Sequence, residues 1–149
     1  MLAFASIFSQ DVLWPTQTKK VFSSNFGENR DDHFHMGIDI KTGGKIGIEV
    51  LAVEDGYISR LRSNYTGYGK AIYLRTISGH EVVYAHLESF TPVLEKIWRL
   101  QQGKRKSYAV DTQFSPRDFQ VKKGDLIGFS GNTGNSYAPH IHFEYRTSK

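Results

Sequence analysis

The chain has 149 residues, 39% hydrophobic and 13% aromatic, with no cysteine and a net charge of +4. That is chain enough for one packed domain and too apolar for a disordered tail, and the missing thiols exclude a disulfide framework and a cysteine-held metal. Apart from Lys104-Arg105-Lys106 and Lys122-Lys123 the basic residues are scattered, without the stripe of cations and stacking aromatics that a nucleic-acid surface needs, so no nucleic-acid partner is expected.

Residues 1–8 are apolar but too short a run to span a bilayer. Small residues ahead of Gln10 make residues 1–10 read as the remnant of a signal peptide, with the domain proper over residues 11–149. An extracytoplasmic location and no stable membrane span follow as expectations. Short runs rich in Val, Ile, Tyr and Phe then succeed one another, and they predict strands over residues 21–26, 37–41, 48–53, 57–62, 71–76, 81–86, 125–130 and 141–146. Turn signals separate them, among them Thr42-Gly43-Gly44, Asp55-Gly56, Ser78-Gly79 and Gly131-Asn132-Thr133-Gly134. The pattern predicts an all-β fold, an antiparallel sandwich or barrel. One segment departs from it. Thr91-Pro92 reads as a helix start, Val93, Leu94, Ile97, Trp98 and Leu100 recur at helical spacing, and Gly103 reads as the stop, which predicts one inserted helix around 91–103 within an excursion over residues 88–119. The segments 50–58 and 121–128 are faintly alike, each reading as strand, tight turn, strand.

Polar residues in these β-rich segments carry the chemistry: His35-x-Gly37-x-Asp39, Tyr84-Ala85-His86-Leu87 and His140-x-His142. So wide a spread makes sense if the fold gathers the segments around one metal ion. Alternation puts His140 and His142 on one face of a strand, about 7 Å apart, so one ligand and one acid/base is their natural division. His35 and Asp39 share parity, with Gly37 letting the backbone pass close to something. His35, Asp39 and His142 make three ligands, the number a catalytic zinc takes when it keeps one position open. The need for a metal is a matter of magnitude. Zinc lowers the pKa of bound water from about 15.7 to about 7, roughly 12 kcal/mol, against about 3–5 kcal/mol from general base assistance alone. His33 reads as a surface or supporting histidine and His80 as solvated in a turn. Glu144 shares the parity of His142 and is expected either to orient that imidazole or to pair with a nearby cation. Arg30-Asp31-Asp32 reads as a solvated charge run, with Arg30 able to meet a substrate carboxylate.

These motifs, together with Phe26-Gly27, Ala52-Val53-Glu54-Asp55-Gly56, Tyr68-Gly69-Lys70, Lys123-Gly124-Asp125 and Pro139-His140-Ile141-His142-Phe143-Glu144, occur in the order in which they run through the lysostaphin-type (LytM-like) zinc metallopeptidases, and from about Phe26 to Arg146 the chain resembles that family. The resemblance implies a duplicated hybrid motif fold related to biotinyl and lipoyl carriers. It implies Zn2+ held by His35, Asp39 and His142, and His86 and His140 as catalytic residues, with His140 as general base and His86 stabilising the oxyanion. It further implies a metalloendopeptidase that hydrolyses peptide cross-links of bacterial peptidoglycan through zinc-activated water, its partners being the peptide stems and cross-bridges of the wall. Tyr137-Ala138 stands where members have small residues, which touches the groove's width. Asn29-Arg30 stands where polyglycine cutters carry a tyrosine, which favours a D-Ala–diaminopimelate bond over Gly–Gly. The long excursion suggests a longer parent protein. The alternatives are a non-catalytic regulator of another wall hydrolase and a lipoyl-like wall-binding module. The first is expected to lose ligands that this chain keeps, and the second needs an acceptor motif that is missing around Lys122 and Lys123.

Overall fold

The computed structural model describes residues 12–30 and 33–147, so the expectation for residues 1–10 lies outside the described residues. Among the described residues ten strands and one helix follow each other: β1 (Phe22–Ser24), β2 (Ile38–Lys41), β3 (Glu49–Leu51), β4 (Gly56–Ser63), β5 (Lys70–Thr76), β6 (His80–Phe90), α1 (Pro92–Arg105), β7 (Val110–Gln113), β8 (Gln120–Val121), β9 (Leu126–Ser130) and β10 (His140–Thr147). All pairings are antiparallel, in the order β1-β2-β10-β6-β5-β4-β7, with β9 joining β3 to β6 and β8 lying on β4. The fold is all-β as expected, and the sheet does not close into a barrel.

Two-residue alternation sorts the strands into two apolar faces. Ile72 and Leu74 of β5, Val82 and Tyr84 of β6 and Ile141 of β10 enter the main core with Ile40, Leu61 and Ile127. Ala71 and Tyr73 of β5 and Val83 and Ala85 of β6 face the other way and pack under Tyr68. In His140-Ile141-His142-Phe143-Glu144 the same alternation sends Ile141 and Phe143 to the core and leaves His142 and Glu144 on the opposite face, beside Tyr68. The site is therefore built on the back of the core.

Strand β6 changes partners midway. Residues 80–85 pair with β10, and residues 87–90 pair with β9. At the change stands His86, with φ +59°, a left-handed backbone that non-glycine residues rarely adopt. From Lys70↔Leu87 to Ile72↔Tyr84 the β6 side carries one residue more than β5, so the strand is bulged here. The segments 50–58 and 121–128, alike in sequence, run antiparallel to each other: Val50 pairs with Gly128, Leu51 with Leu126 and Gly56 with Val121.

Three expectations change. The helix does not stop at Gly103 but runs to Arg105, and Lys106 closes it in the left-handed conformation (φ +48°). Its buried residues are Leu94 and Trp98, while Val93 and Leu100 are exposed because α1 lays only one side on the sheet. The excursion also holds a strand that composition does not signal, β7; it forms because β4 offers its free edge, which it shares with β8 just past the excursion. His80 is half-buried and lies in a strand, not a turn: it opens β6, its ring lies against Tyr145 with centroids 4.6 Å apart, and its Nδ1 is 2.9 Å from Ser78 Oγ.

Candidate metal centre

Register builds the centre. Across β2, β10 and β6, Asp39 sits opposite His142 and His142 opposite Ala85, which puts Asp39 and His142 in one row with His86 one residue further on. His35 arrives from outside the strands, on a small ribbon in which Gly27 N–H donates to His35 O and His35 N–H to Glu28 O, each at 2.8 Å. The chain then turns at Gly37, where a Cβ would come within 2.8 Å of Glu144 Cγ and 3.0 Å of His142 Nε2. That close passage is the physical reason for glycine between the two ligand candidates.

The result is a triangle of donor atoms. His35 Nε2 lies 2.9 Å from His142 Nδ1, and Asp39 Oδ1 lies 3.1 Å from each. All three residues are buried. The outer nitrogens fix the tautomers. His35 Nδ1 lies 2.7 Å from Asn25 O, and His142 Nε2 lies 2.8 Å from Glu144 Oε1. Each outer partner is an acceptor, so each outer nitrogen carries the proton and each inner nitrogen turns a lone pair inward. Two lone pairs and a carboxylate oxygen facing one another need a positive charge between them. Tetrahedral zinc at 2.0–2.1 Å from its ligands spaces them about 3.3 Å apart, which the observed edges match. The donor set therefore fits a zinc ion.

Electrostatics favour positive charge at the triangle, either a proton on His142 Nδ1 or a metal ion in its place. Burial would raise the Asp39 carboxyl, but hydrogen bonds from His140 and His142 outweigh it and hold the group far below the usual carboxylate range. Burial pulls His142 down, and Asp39 and Glu144 more than reverse this, so its pKa is raised. Glu144 is likewise lowered against its burial by donors from His142, Tyr68 and Arg146.

Two more histidines border the triangle. The rings of His86 and His140 have centroids 4.7 Å apart. His86 Nδ1 lies 2.8 Å from Thr133 O, and burial, the main cause, pulls its pKa down to about 4. His140 Nδ1 lies 2.8 Å from Ala138 O, and its Nε2 is 3.4 Å from Asp39 Oδ1. Thr133 is held by its own hydroxyl, which donates to Leu87 O at 2.8 Å and accepts from Lys70 N–H at 2.9 Å.

All five residues singled out for chemistry, His35, Asp39, His86, His140 and His142, thus meet at one place. His33 is exposed and takes no place in the triangle. Glu144 does both things expected of it, meeting His142 and pairing with Arg146 Nε at 2.5 Å. Arg30 is half-exposed and paired, not simply solvated: its Nη2 donates to Asp39 Oδ2 at 3.2 Å. Thr133 and Tyr68 lay within quoted motifs but had no role assigned. Tyr68 donates to Glu144 Oε1, and only its place beside two glycines marked it in the sequence.

A buried His/Asp/His cluster able to hold one metal ion, on an antiparallel sheet, is the setting of a metallopeptidase. Comparison with known proteins gives the family: residues 33–117 match peptidase family M23, and the chain belongs to that family. M23 peptidases are zinc metalloproteases. The chain is similar to the DD-carboxypeptidase/endopeptidase Mpg of Neisseria meningitidis serogroup B, 34% identical over 112 residues, covering 75% of this chain and 20% of that protein. It is also similar to the glycyl-glycine endopeptidase ALE-1 of Staphylococcus capitis, 30% identical over 117 residues, covering 76% and 25%. The catalytic domain of lysostaphin from Staphylococcus simulans superposes with a TM-score of 0.57 at 25% identity, covering 91% of this chain and 80% of that one. The chain spans about a fifth to a quarter of the length of these curated relatives. Among the described residues no helix is long and apolar enough to cross a membrane.

Proposed function

We propose that this domain is a zinc-dependent endopeptidase that cuts peptide cross-links of bacterial peptidoglycan, with His35, Asp39 and His142 as the metal ligands and His86 and His140 as the catalytic residues. The observation that carries the reading is the triangle of three inward-facing donor atoms about 3 Å apart, bordered by two further imidazoles. When bound, zinc supplies Lewis acidity, polarising the scissile carbonyl and bringing the pKa of water towards 7.

The protein's own groups divide the proton work. His86 and His140 each turn Nδ1 to a backbone carbonyl, Thr133 O and Ala138 O, both at 2.8 Å, which leaves each Nε2 to handle a proton. His140 Nε2 borders the triangle, 3.4 Å from Asp39 Oδ1, and His140 is the general base that takes the proton of the attacking water and passes it to the leaving amine. His86, its ring 4.7 Å from that of His140, stabilises the developing oxyanion. The left-handed backbone of His86 fits such a role, since strain of this kind is held where the surrounding structure imposes it.

The same reading gives the substrate as a D-Ala–diaminopimelate type bond, supported by the likeness to a DD-carboxypeptidase/endopeptidase, and places the protein's work outside the cytoplasm, where the wall is. Mass spectrometry of muropeptides released from purified walls identifies the bond. The metal and proton roles are separated by four variants. His35→Ala and Asp39→Ala are expected to lose zinc, while His86→Ala and His140→Ala keep one zinc per chain and lose wall-cleaving activity. Zinc retained in the first pair, or activity retained in the second, refutes the assignment.

A further inference from the structure

Asp39 has two oxygens, and they face opposite ways. Oδ1 belongs to the triangle, while Oδ2 accepts from Arg30 Nη2 at 3.2 Å. The same Nη2 donates to Ser24 Oγ at 2.5 Å. Ser24 donates in turn to Glu28 Oε2, and Glu28 Oε1 accepts from Asn25 N–H at 2.6 Å. Arg30 Nε is buried and makes no hydrogen bond. The guanidinium is thus framed by β1 and the loop that follows it. That loop also supplies the Asn25 carbonyl to His35 Nδ1. Two of the three ligand candidates are therefore oriented from residues 24–30, and the third by Glu144.

A carboxylate beside a divalent cation can offer one oxygen or both. Offering both fills a coordination position that a catalytic site leaves open. A guanidinium on the second oxygen occupies its lone pair and draws off its charge. We propose that Arg30 is a positioning residue that ties off Oδ2 of Asp39, so that the carboxylate gives the metal a single oxygen and an open position is kept for water and substrate. The inference rests on the zinc reading of the triangle. It assigns Arg30 to the metal's own carboxylate instead of a substrate carboxylate, because its Nη2 is already shared between Asp39 and Ser24.

Cobalt makes the difference visible without any turnover. Co2+ in four-coordinate sites absorbs visible light strongly, and a fifth ligand weakens and shifts the bands. Wild-type protein, Arg30→Met and Arg30→Lys are loaded with Co2+, and the metal is quantified per chain. The wild type is expected to show the strong spectrum. In Arg30→Met, Oδ2 is freed to join the metal, and absorption falls severalfold at unchanged metal content. Arg30→Lys puts a single cationic donor on Oδ2 and keeps the strong spectrum. If Arg30→Met fails to load, Arg30→Gln, a milder loss of the same charge, carries the same expectation. An Arg30→Met or Arg30→Gln spectrum that overlays the wild type at equal metal content overturns the clamp, and so does an Arg30→Lys protein as weakly absorbing as Arg30→Met. A wild-type chain that takes up no Co2+ overturns instead the reading of the triangle as a metal site.

Discussion

Glu144→Gln tests how the third ligand is held. The Glu144 carboxylate is 2% exposed and receives three donors: Tyr68 O–H and His142 Nε2–H on Oε1, and Arg146 Nε–H on Oε2 at 2.5 Å. An amide of the same shape has one oxygen and one NH2. If its oxygen keeps the Oε1 place, the NH2 abuts the Arg146 donor. If it flips, the NH2 abuts His142 Nε2, whose proton must then move to Nδ1, the atom that the triangle needs bare. Either arrangement forfeits a charge-assisted hydrogen bond worth about 1.5–3 kcal/mol. The second also spoils the ligand tautomer, and changes to such outer partners typically weaken metal binding about 10–100-fold, or about 1.4–2.8 kcal/mol. Zinc competition against a chromophoric chelator reads the affinity, and urea unfolding of the chelator-stripped protein reads the stability. An affinity within twofold of the wild type, together with unchanged metal-free stability, would refute the argument that Glu144 sets the His142 tautomer.

Burial holds the folded His86 near 4, against about 6.5 when unfolded. Below about pH 6.5 the unfolded chain takes a proton that the folded one refuses, so this contribution is complete above pH 7 and is lost progressively towards pH 4. Between pH 7.5 and 5 the wild type should lose about 2 kcal/mol more than His86→Gln in urea unfolding with chelator present; parallel losses would contradict it. Gly37→Ala drives a methyl into the Phe143 carbonyl oxygen and against Glu144 and His142, and an expected cost of about 1–3 kcal/mol should come with weaker zinc binding, whereas an unaltered zinc affinity would show the glycine to be dispensable. Tyr84→Phe is the control away from the centre. The Tyr84 hydroxyl accepts from Val53 N–H at 3.0 Å inside the core, so its loss should cost about 1–3 kcal/mol and leave zinc affinity where it was.

The residues of the centre were legible before the fold because strand alternation and glycine placement are local properties. In His140-Ile141-His142-Phe143-Glu144 a period of two already says which side chains share a face, and a glycine between His35 and Asp39 already says that something passes close. The predicted strands likewise follow their apolar runs. The short, polar β7 (Val-Asp-Thr-Gln) carries no such signal and exists because β4 has an edge to pair and Arg60 an Asp111 to hold. His80 was misjudged for the same reason: Ser78-Gly79 marks the turn correctly, but Tyr145, which covers the imidazole, comes from the other end of the chain.

By itself, then, the sequence determined the residue types at the centre, the faces they occupy and the family of folds that would gather them. Tertiary structure alone decided what each group can do. The lone pair of an imidazole points wherever its other nitrogen is not donating, and those acceptors, Asn25 O for His35, Glu144 for His142, Thr133 O for His86 and Ala138 O for His140, are carried mostly by loops whose backbone direction no side-chain pattern encodes. The same holds for Arg30, a charged residue in a charged run until folding sets it on the far oxygen of Asp39.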